Sequence, residues 1–193
     1  MWKAQSYLFH PNIRFPVYVY VFAGRYTHWD DASYRRLLHI LTVLGSETGN
    51  EVCVIAPIDQ QRSQEVREYL NECFLPLAKR LGLGGESFGL LVCDTPVPDL
   101  EPDGRKGRWV WFRFDADLNL QGGQTGIGVV ADAIRDGSIA GGDRIQTIFR
   151  SVSKADLSLW ELVKDIDWSL SGPSTNLRTL LRGAHSVETN LYD

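Results

Sequence analysis

The stretch VYVYVFA at residues 17–23 decides the fold, because β-branched and aromatic residues fill nearly all of its positions. A strand with one solvent-exposed face alternates apolar and polar residues, whereas a strand that is buried on both faces is apolar throughout. The run therefore predicts an inner strand of a sheet that is covered on both sides.

A helix and a second strand follow this run. Apolar residues at helical spacing between Tyr34 and Leu44 form one stripe, and Gly45 is the expected helix end. The residues EVCVIAPI at 51–58 form a second apolar run. A strand, a helix and a strand in this order predict a right-handed crossover between two parallel strands.

The next elements extend this pattern. An apolar stripe over residues 66–81 predicts a second helix, with a kink at Pro76 because proline removes a backbone donor. FGLLVC at 88–93 predicts a third strand, which a second crossover would again make parallel. A proline-rich loop then leads to a fourth strand, RWVWFRF at 108–114, for which we expect antiparallel pairing with the third.

Helices dominate the rest of the chain. A glycine-rich loop at 122–128 leads into a third helix, with Gly137 as its expected end. Two more helices are expected at 145–152 and 159–166, the second of them with Ser153 and Asp156 as its capping box.

Together these elements predict an α/β domain. Their order is β-α-β-α-β-β-α with two extra C-terminal helices, and the antiparallel fourth strand makes the four-stranded sheet mixed. We divide the chain into an N-terminal extension at 1–16, a single α/β domain at 17–170 and a partly ordered C-terminal tail at 171–193.

The element order over roughly residues 17–137 is similar to the core of the thioredoxin-like fold, and equally to a flavodoxin-like sheet truncated by one or two strands. The thioredoxin-like resemblance implies a cysteine at the start of the first core helix and a cis-proline before the third strand. Residues 24–31 contain no cysteine and residues 83–87 no proline. The resemblance therefore concerns element order alone, implies no oxidoreductase activity and assigns no family.

Composition excludes several functions. The 193 residues include 20 Lys and Arg against 24 Asp and Glu, a formal net charge of −4. This balance disfavours a dedicated nucleic-acid binder, because binding to phosphates needs a basic excess. Apolar segments fall short of the roughly 18 residues that cross a bilayer, and the N-terminus lacks the apolar region of a signal peptide. We expect a soluble, cytoplasmic protein without a membrane partner.

The three cysteines, Cys53, Cys73 and Cys93, all lie in apolar surroundings, and no CxxC occurs. The spacing excludes a zinc knuckle and a dithiol redox motif. We expect three buried structural thiols in a reducing compartment.

The glycine-rich loop is a candidate phosphate site, because its backbone N–H groups precede a helix N-terminus. The residues that would bind a ligand are Gly122, Gly123, Thr125 and Gly126. The loop is neither a Walker A motif nor a dinucleotide fingerprint, since its spacing fits neither. The alternative is a flexible loop that allows tight helix packing.

Carboxylates follow the third and fourth strands and form a candidate metal site. Asp115 and Asp117 lie on one face of an extended chain, roughly 6–7 Å apart. With Asp94, they offer the oxygen ligands that Mg²⁺ or Mn²⁺ prefers. The alternative is that these aspartates are simply turn residues.

A polar and aromatic cluster follows the first strand, where open sheets bind ligands. It makes this loop a second candidate ligand site, with an ordinary helix N-terminus as the alternative. Its members are Arg25, His28, Trp29 and Asp30.

The fourth strand is a candidate interface. Trp109, Trp111 and Arg113 share one strand face, and aromatic residues with arginine are typical of interface hot spots. We place this strand at the sheet edge, where its β-prone sequence needs a cover. Either the C-terminal helices cover it or a second chain does, as in a two-fold homodimer.

These observations favour a non-catalytic protein-interaction module, or an accessory subunit of a larger system, because no catalytic motif is complete. The expected partner is another protein or a second copy of the chain, and no cofactor is expected. The alternative is a metal-dependent enzyme acting on a phosphate ester or nucleotide. It would use Asp94, Asp115 and Asp117 with the glycine-rich loop, so the enzyme question stays open at this point.

Overall fold

A computed structural model describes residues 14–22, 32–56, 76, 79, 88–100, 106–115, 117–121, 124–156 and 187–189. The strands are β1 (Val17–Phe22), β2 (Val52–Ile55), β3 (Gly89–Cys93), β4 (Trp109–Arg113) and β5 (Val187–Thr189). The helices are α1 (Ala32–Thr48), α2 (Ile127–Ser138) and α3 (Arg144–Ala155), with a 3₁₀ turn at Val97–Asp99. Pro76 and Lys79 are also helical. Among the described helices, none is long and apolar enough to cross a membrane.

The sheet has the order β2-β1-β3-β4-β5, so the α/β class and the mixed four-stranded sheet are confirmed, with a short fifth strand added beside β4. The strands β1 and β2 are parallel, as predicted. The prediction of a parallel β3 is wrong, because β3 pairs antiparallel with both β1 and β4. This direction departs from the parallel sheet of a flavodoxin-like domain. The thioredoxin-like comparison stays one of element order.

One face of the sheet packs against α1, α2 and α3. Valines and leucines of the strands point to this face, where they meet the apolar stripes of the three helices. The deepest helix residues include Leu37 on α1, Val130 on α2 and Phe149 on α3, all at most 1% exposed. Burial of these stripes provides the main driving force for folding.

The opposite face of the sheet is aromatic and equally buried, which confirms β1 as a strand covered on both sides. Two tyrosines of β1 anchor neighbouring segments through their hydroxyls. Tyr18 Oη accepts a hydrogen bond from Phe15 N and Tyr20 Oη one from Val97 N, both at 3.1 Å. The second bond fixes the 3₁₀ turn against this face.

Gly45 and Gly137, the two predicted helix ends, both lie within helices. Gly45 lies inside α1 and does not end it, because the helix continues to Thr48, where Gly49 adopts a left-handed φ of 58°. Gly137 lies inside α2 at its crossing with α3. A Cβ at this position would clash with Ile148, so glycine allows the two backbones to approach closely.

The C-terminal predictions have a mixed outcome. The helix expected at 145–152 is α3, but Ser153 lies within it, so Ser153 and Asp156 cannot cap a later helix. Asp143 caps α3 itself, accepting a hydrogen bond from Gln146 N at 3.1 Å. The helix expected at 159–166 and the domain boundary at 170 lie outside the described residues, and the boundary expected at 16 stays a prediction. β5 belongs to the segment expected as a tail.

Candidate functional site

The chain between β4 and α2 reverses direction twice. Antiparallel bridges join Phe114 to Leu120 and Asn119 to Gly126. Ile127 N donates to the carbonyl of Leu118 at 2.8 Å, so the start of α2 is fastened beside the end of the sheet. The glycine-rich loop is therefore part of a compact double turn.

A buried carboxylate holds this loop. Asp156 follows α3 and is 2% exposed. Its Oδ2 atom accepts hydrogen bonds from Gln124 N at 2.9 Å and from Thr125 N at 3.2 Å. Sequence reasoning gave Asp156 a different role, since nothing in its local pattern shows a partner about 30 residues away.

This contact engages backbone donors that a phosphate at this loop would use. The backbone donors of Gln124, Thr125 and Ile127 are already engaged, and a second anion beside Asp156 would be repelled by its charge. Gln124 and Thr125 are therefore held by the protein's own carboxylate, and the phosphate site at Thr125 and Gly126 stays a prediction. Gly122 and Gly123, the other half of the expected site, lie outside the described residues.

The candidate metal ligands lie at the two ends of the β3–β4 hairpin, Asp115 and Asp117 at one end and Asp94 at the other. Asp115 Oδ1 accepts hydrogen bonds from Asp117 N at 2.9 Å and Asn119 N at 3.0 Å, so this carboxylate shapes the turn after β4. Asp94 lies at the other end of the hairpin, where its Oδ1 accepts from Arg108 N at 2.9 Å.

Strand geometry separates these carboxylates widely. From Arg108, beside Asp94, to Asp115 is a run of seven residues, or roughly 23 Å of extended chain. One ion cannot bridge that distance, so Asp94, Asp115 and Asp117 do not form the expected shared metal site. In the described parts of the chain, no other group of three metal-ligating side chains is present.

The aromatic face of β4 is not an exposed interface. Trp109 and Trp111 are 1% and 0% exposed, and Arg113 is half-buried. The indole of Trp111 lies over Gly89, where an added Cβ would be 2.8 Å from two of its ring carbons. The two indoles belong to the aromatic layer of the core, which corrects the expectation that they form a surface hot spot.

The backbone edge of β4 is also covered. β5 pairs with β4 in antiparallel register, Val110 with Thr189 and Phe112 with Val187. The chain thus covers with its own C-terminal strand the edge that was expected to need helices or a second chain. The candidate residues Arg25, His28, Trp29 and Asp30 lie outside the described residues and stay a prediction.

The thiols of Cys53 and Cys93 are buried and free, as predicted, whereas Cys73 lies outside the described residues. Burial raises the pKa of the Cys53 thiol to about 11 and the pKa of Cys93 further. Both groups therefore stay protonated at neutral pH, where a nucleophilic cysteine would need to be a thiolate.

Sequence reasoning missed the outer edge of β2. The hydrogen bond from Val17 N to Glu51 O, at 3.1 Å, shows which residues of β2 are hydrogen-bonded to β1 in the parallel pair. Backbone groups of Cys53 then face β1, whereas those of Val52 and Val54 point to the opposite side. No strand of the described chain pairs with this side. Within the part of the chain that the structure describes, this apolar strand thus has an open edge.

Comparison with known proteins finds no family model, no curated protein and no solved structure that matches the chain.

Proposed function

We propose that this chain is a non-catalytic protein-interaction module, free-standing or as an accessory subunit, that binds an extended segment of a protein partner along the outer edge of β2. The observation that carries the proposal is the outward direction of the backbone groups of Val52 and Val54, in a strand without a charged residue. Edge strands with unpaired backbone groups are templates for strand addition.

The edge offers a defined but modest binding energy. Val52 and Val54 together supply two N–H donors and two carbonyl acceptors, and each hydrogen bond contributes about 0.5–1.5 kcal/mol net. Val54 is only half-buried, so a partner strand would also cover apolar side-chain surface. Main-chain bonds would then supply affinity and neighbouring side chains specificity.

A reducing compartment such as the cytoplasm suits this module. Cys53 and Cys93 are free thiols on the aromatic face of the sheet, and neither pairs with another cysteine of the described chain. Proteins of oxidising compartments more often use their cysteines as disulfides.

The test is site-specific photo-crosslinking in the cells that make the protein. A benzophenone amino acid at Glu51, beside the edge, should give a discrete covalent adduct, and one at Val129, exposed on α2, serves as the placement control. Val54→Pro removes the outward N–H without touching the ladder with β1, since proline is tolerated where the N–H points away from the sheet. Val54→Ala trims the side chain but keeps the N–H.

We expect the Glu51 adduct to disappear in Val54→Pro and to persist in Val54→Ala. Absence of any adduct at Glu51, or an adduct that is unchanged by Val54→Pro, would show that the edge of β2 is not the binding surface.

A further inference from the structure

We infer that the occupant of the β2 edge is a second copy of this chain, paired β2 to β2 in antiparallel register about a two-fold axis at Cys53. The inference rests on the proposed function, because it names the partner for the same edge. Three observations support the inference: the outward direction of the backbone groups of Val52 and Val54, the composition of β2, and the side of α1 that lies next to this edge.

The outward direction of Val52 and Val54 determines which residues of the two copies lie opposite each other. Residues that exchange two hydrogen bonds in an antiparallel pair lie directly opposite each other. Within the bounds of β2, both outward residues are used in both copies only when Val52 of one copy faces Val54 of the other. This register forms four hydrogen bonds and places the two Cys53 residues opposite each other on the axis.

Charge does not oppose this pairing. The strand contains no ionisable side chain other than the protonated thiol of Cys53, and Glu51 of one copy faces Ile55 of the other. The valines of both copies fall on the helix-covered face of the sheet, and the cysteines on the aromatic face. A two-fold contact of this kind is self-complementary and closes after two copies.

The flank of α1 next to the edge enlarges the contact. Helix α1 lies between α2 and β2, and its Glu47 points toward α2, where it pairs with Arg135 at 3.4 Å. On a helix, Leu38 and Thr42 then lie on the other side, toward the edge of β2. Leu38 and Thr42 are uncharged, so two copies related by the axis can bring these two positions together without repulsion, and the exposed Arg35 lies two turns before Thr42 on this flank.

The register makes a specific prediction about cross-linking. Cα atoms in a non-hydrogen-bonded antiparallel pair are about 4.5 Å apart, which a disulfide can span. Diamide takes up two electrons and two protons from a pair of thiols as the S–S bond forms. On prolonged incubation with diamide, the purified full-length protein should therefore give a covalent dimer, slowly because the buried thiol is rarely a thiolate. Cys53→Ser should abolish this dimer, whereas Cys93→Ser and Cys73→Ser should retain it.

Light scattering gives the independent measurement on the unmodified protein. At high micromolar concentration we expect twice the 21.7 kDa of one chain. We expect Val54→Ala to remain dimeric and Val54→Pro to be monomeric. The diamide experiment needs no substitution in the strand backbone, so the inference stays testable if Val54→Pro fails to fold.

Three results would overturn the inference. One is a monomeric wild-type chain at high micromolar concentration, and another is a dimer that diamide links through Cys93 or Cys73 instead of Cys53. The third is a dimer that persists in folded Val54→Pro. A monomer whose Glu51 photo-adduct has the mass of a different protein, and needs the Val54 N–H, overturns the second copy but supports the proposed function. A monomer without any adduct contradicts both.

Discussion

A single buried carboxylate, Asp156, fixes the glycine-rich loop. It accepts hydrogen bonds from two backbone donors, of which Thr125 N is buried, and a buried donor costs about 1–3 kcal/mol when left unpaired. The residue therefore stabilises a loop whose composition suggests ligand binding. Its own position, immediately after α3, couples this loop to the helix layer.

We predict that Asp156→Ala lowers the free energy of unfolding by about 1–3 kcal/mol, because Gln124 N and Thr125 N lose their acceptor. Asp156→Asn should cost less, since its amide oxygen still accepts a hydrogen bond but carries no charge. Urea denaturation measures both. Asp117→Ala, an exposed carboxylate of the neighbouring turn, is the control and should change stability by less than about 0.5 kcal/mol. Equal losses in Asp156→Ala and Asp117→Ala would contradict the assigned role.

Buried thiols give a prediction about pH. Since burial raises the pKa of Cys53 to about 11, the thiol stays protonated in the folded chain, whereas an unfolded thiol ionises near its ordinary value. Native Cys53 and Cys93 should therefore resist iodoacetamide at pH 8 and react in urea. The folded state binds the proton more tightly, so stability is full below the unfolded pKa and falls as pH rises toward 11. Native labelling of either cysteine at free-thiol rates, seen by peptide mass spectrometry, would refute this.

At the scale of elements, the crossing of α2 and α3 depends on one glycine. A Cβ at Gly137 would clash with Ile148 and lie 3.2 Å from its backbone nitrogen. We predict that Gly137→Ala destabilises the fold by about 1–3 kcal/mol, because the helices must move apart. Gly128→Ala, in the same helix, meets nothing within 4 Å and should be neutral or gain up to about 1 kcal/mol. Thermal unfolding separates the two, and a stabilised Gly137→Ala would show that the helices do not approach so closely.

The short strand β5 protects the β-prone edge of β4. The hydrogen bond from Asp94 N to Arg108 O shows that Arg108 and every second residue after it bond to β3. The backbone groups of Trp111 therefore face away from β3 and toward Glu188. We predict that Glu188→Pro, which removes one donor to this edge, aggregates at several-fold lower concentration than Glu188→Ala, which keeps it. Light scattering over time at fixed temperature measures the difference. Equal aggregation of the two variants would mean that β5 does not shield β4.

For the whole molecule, hydrophobic patterning predicted the elements better than their arrangement. The runs at 17–23 and 88–93 correspond closely to β1 and β3, because burial on both faces leaves a local mark in composition. The direction of a strand does not affect its local composition, so the sequence wrongly predicts that β3 is parallel to β1. The strand β5 could not be predicted, because three residues with one valine show no hydrophobic periodicity. The contact of Asp156 with Thr125 could not be predicted either, because the two residues are far apart in the chain.

The arrangement of charges across the molecule leads to a last prediction, on metal ions and nucleotides. Asp94 lies at one end of the β3–β4 hairpin and Asp115 at the other, and Asp156 occupies the donors of the glycine-rich loop. A ligand at 1 mM that bound with a Kd of about 10 µM would add about 2.7 kcal/mol of stability. In a chain of this size that raises the Tm by roughly 5–11 °C. We predict a shift below about 1 °C with Mg²⁺, Mn²⁺ and a nucleotide panel. A metal-dependent rise of several degrees would instead favour the phosphate-ester enzyme, and Asp115→Ala would then show whether the turn after β4 takes part.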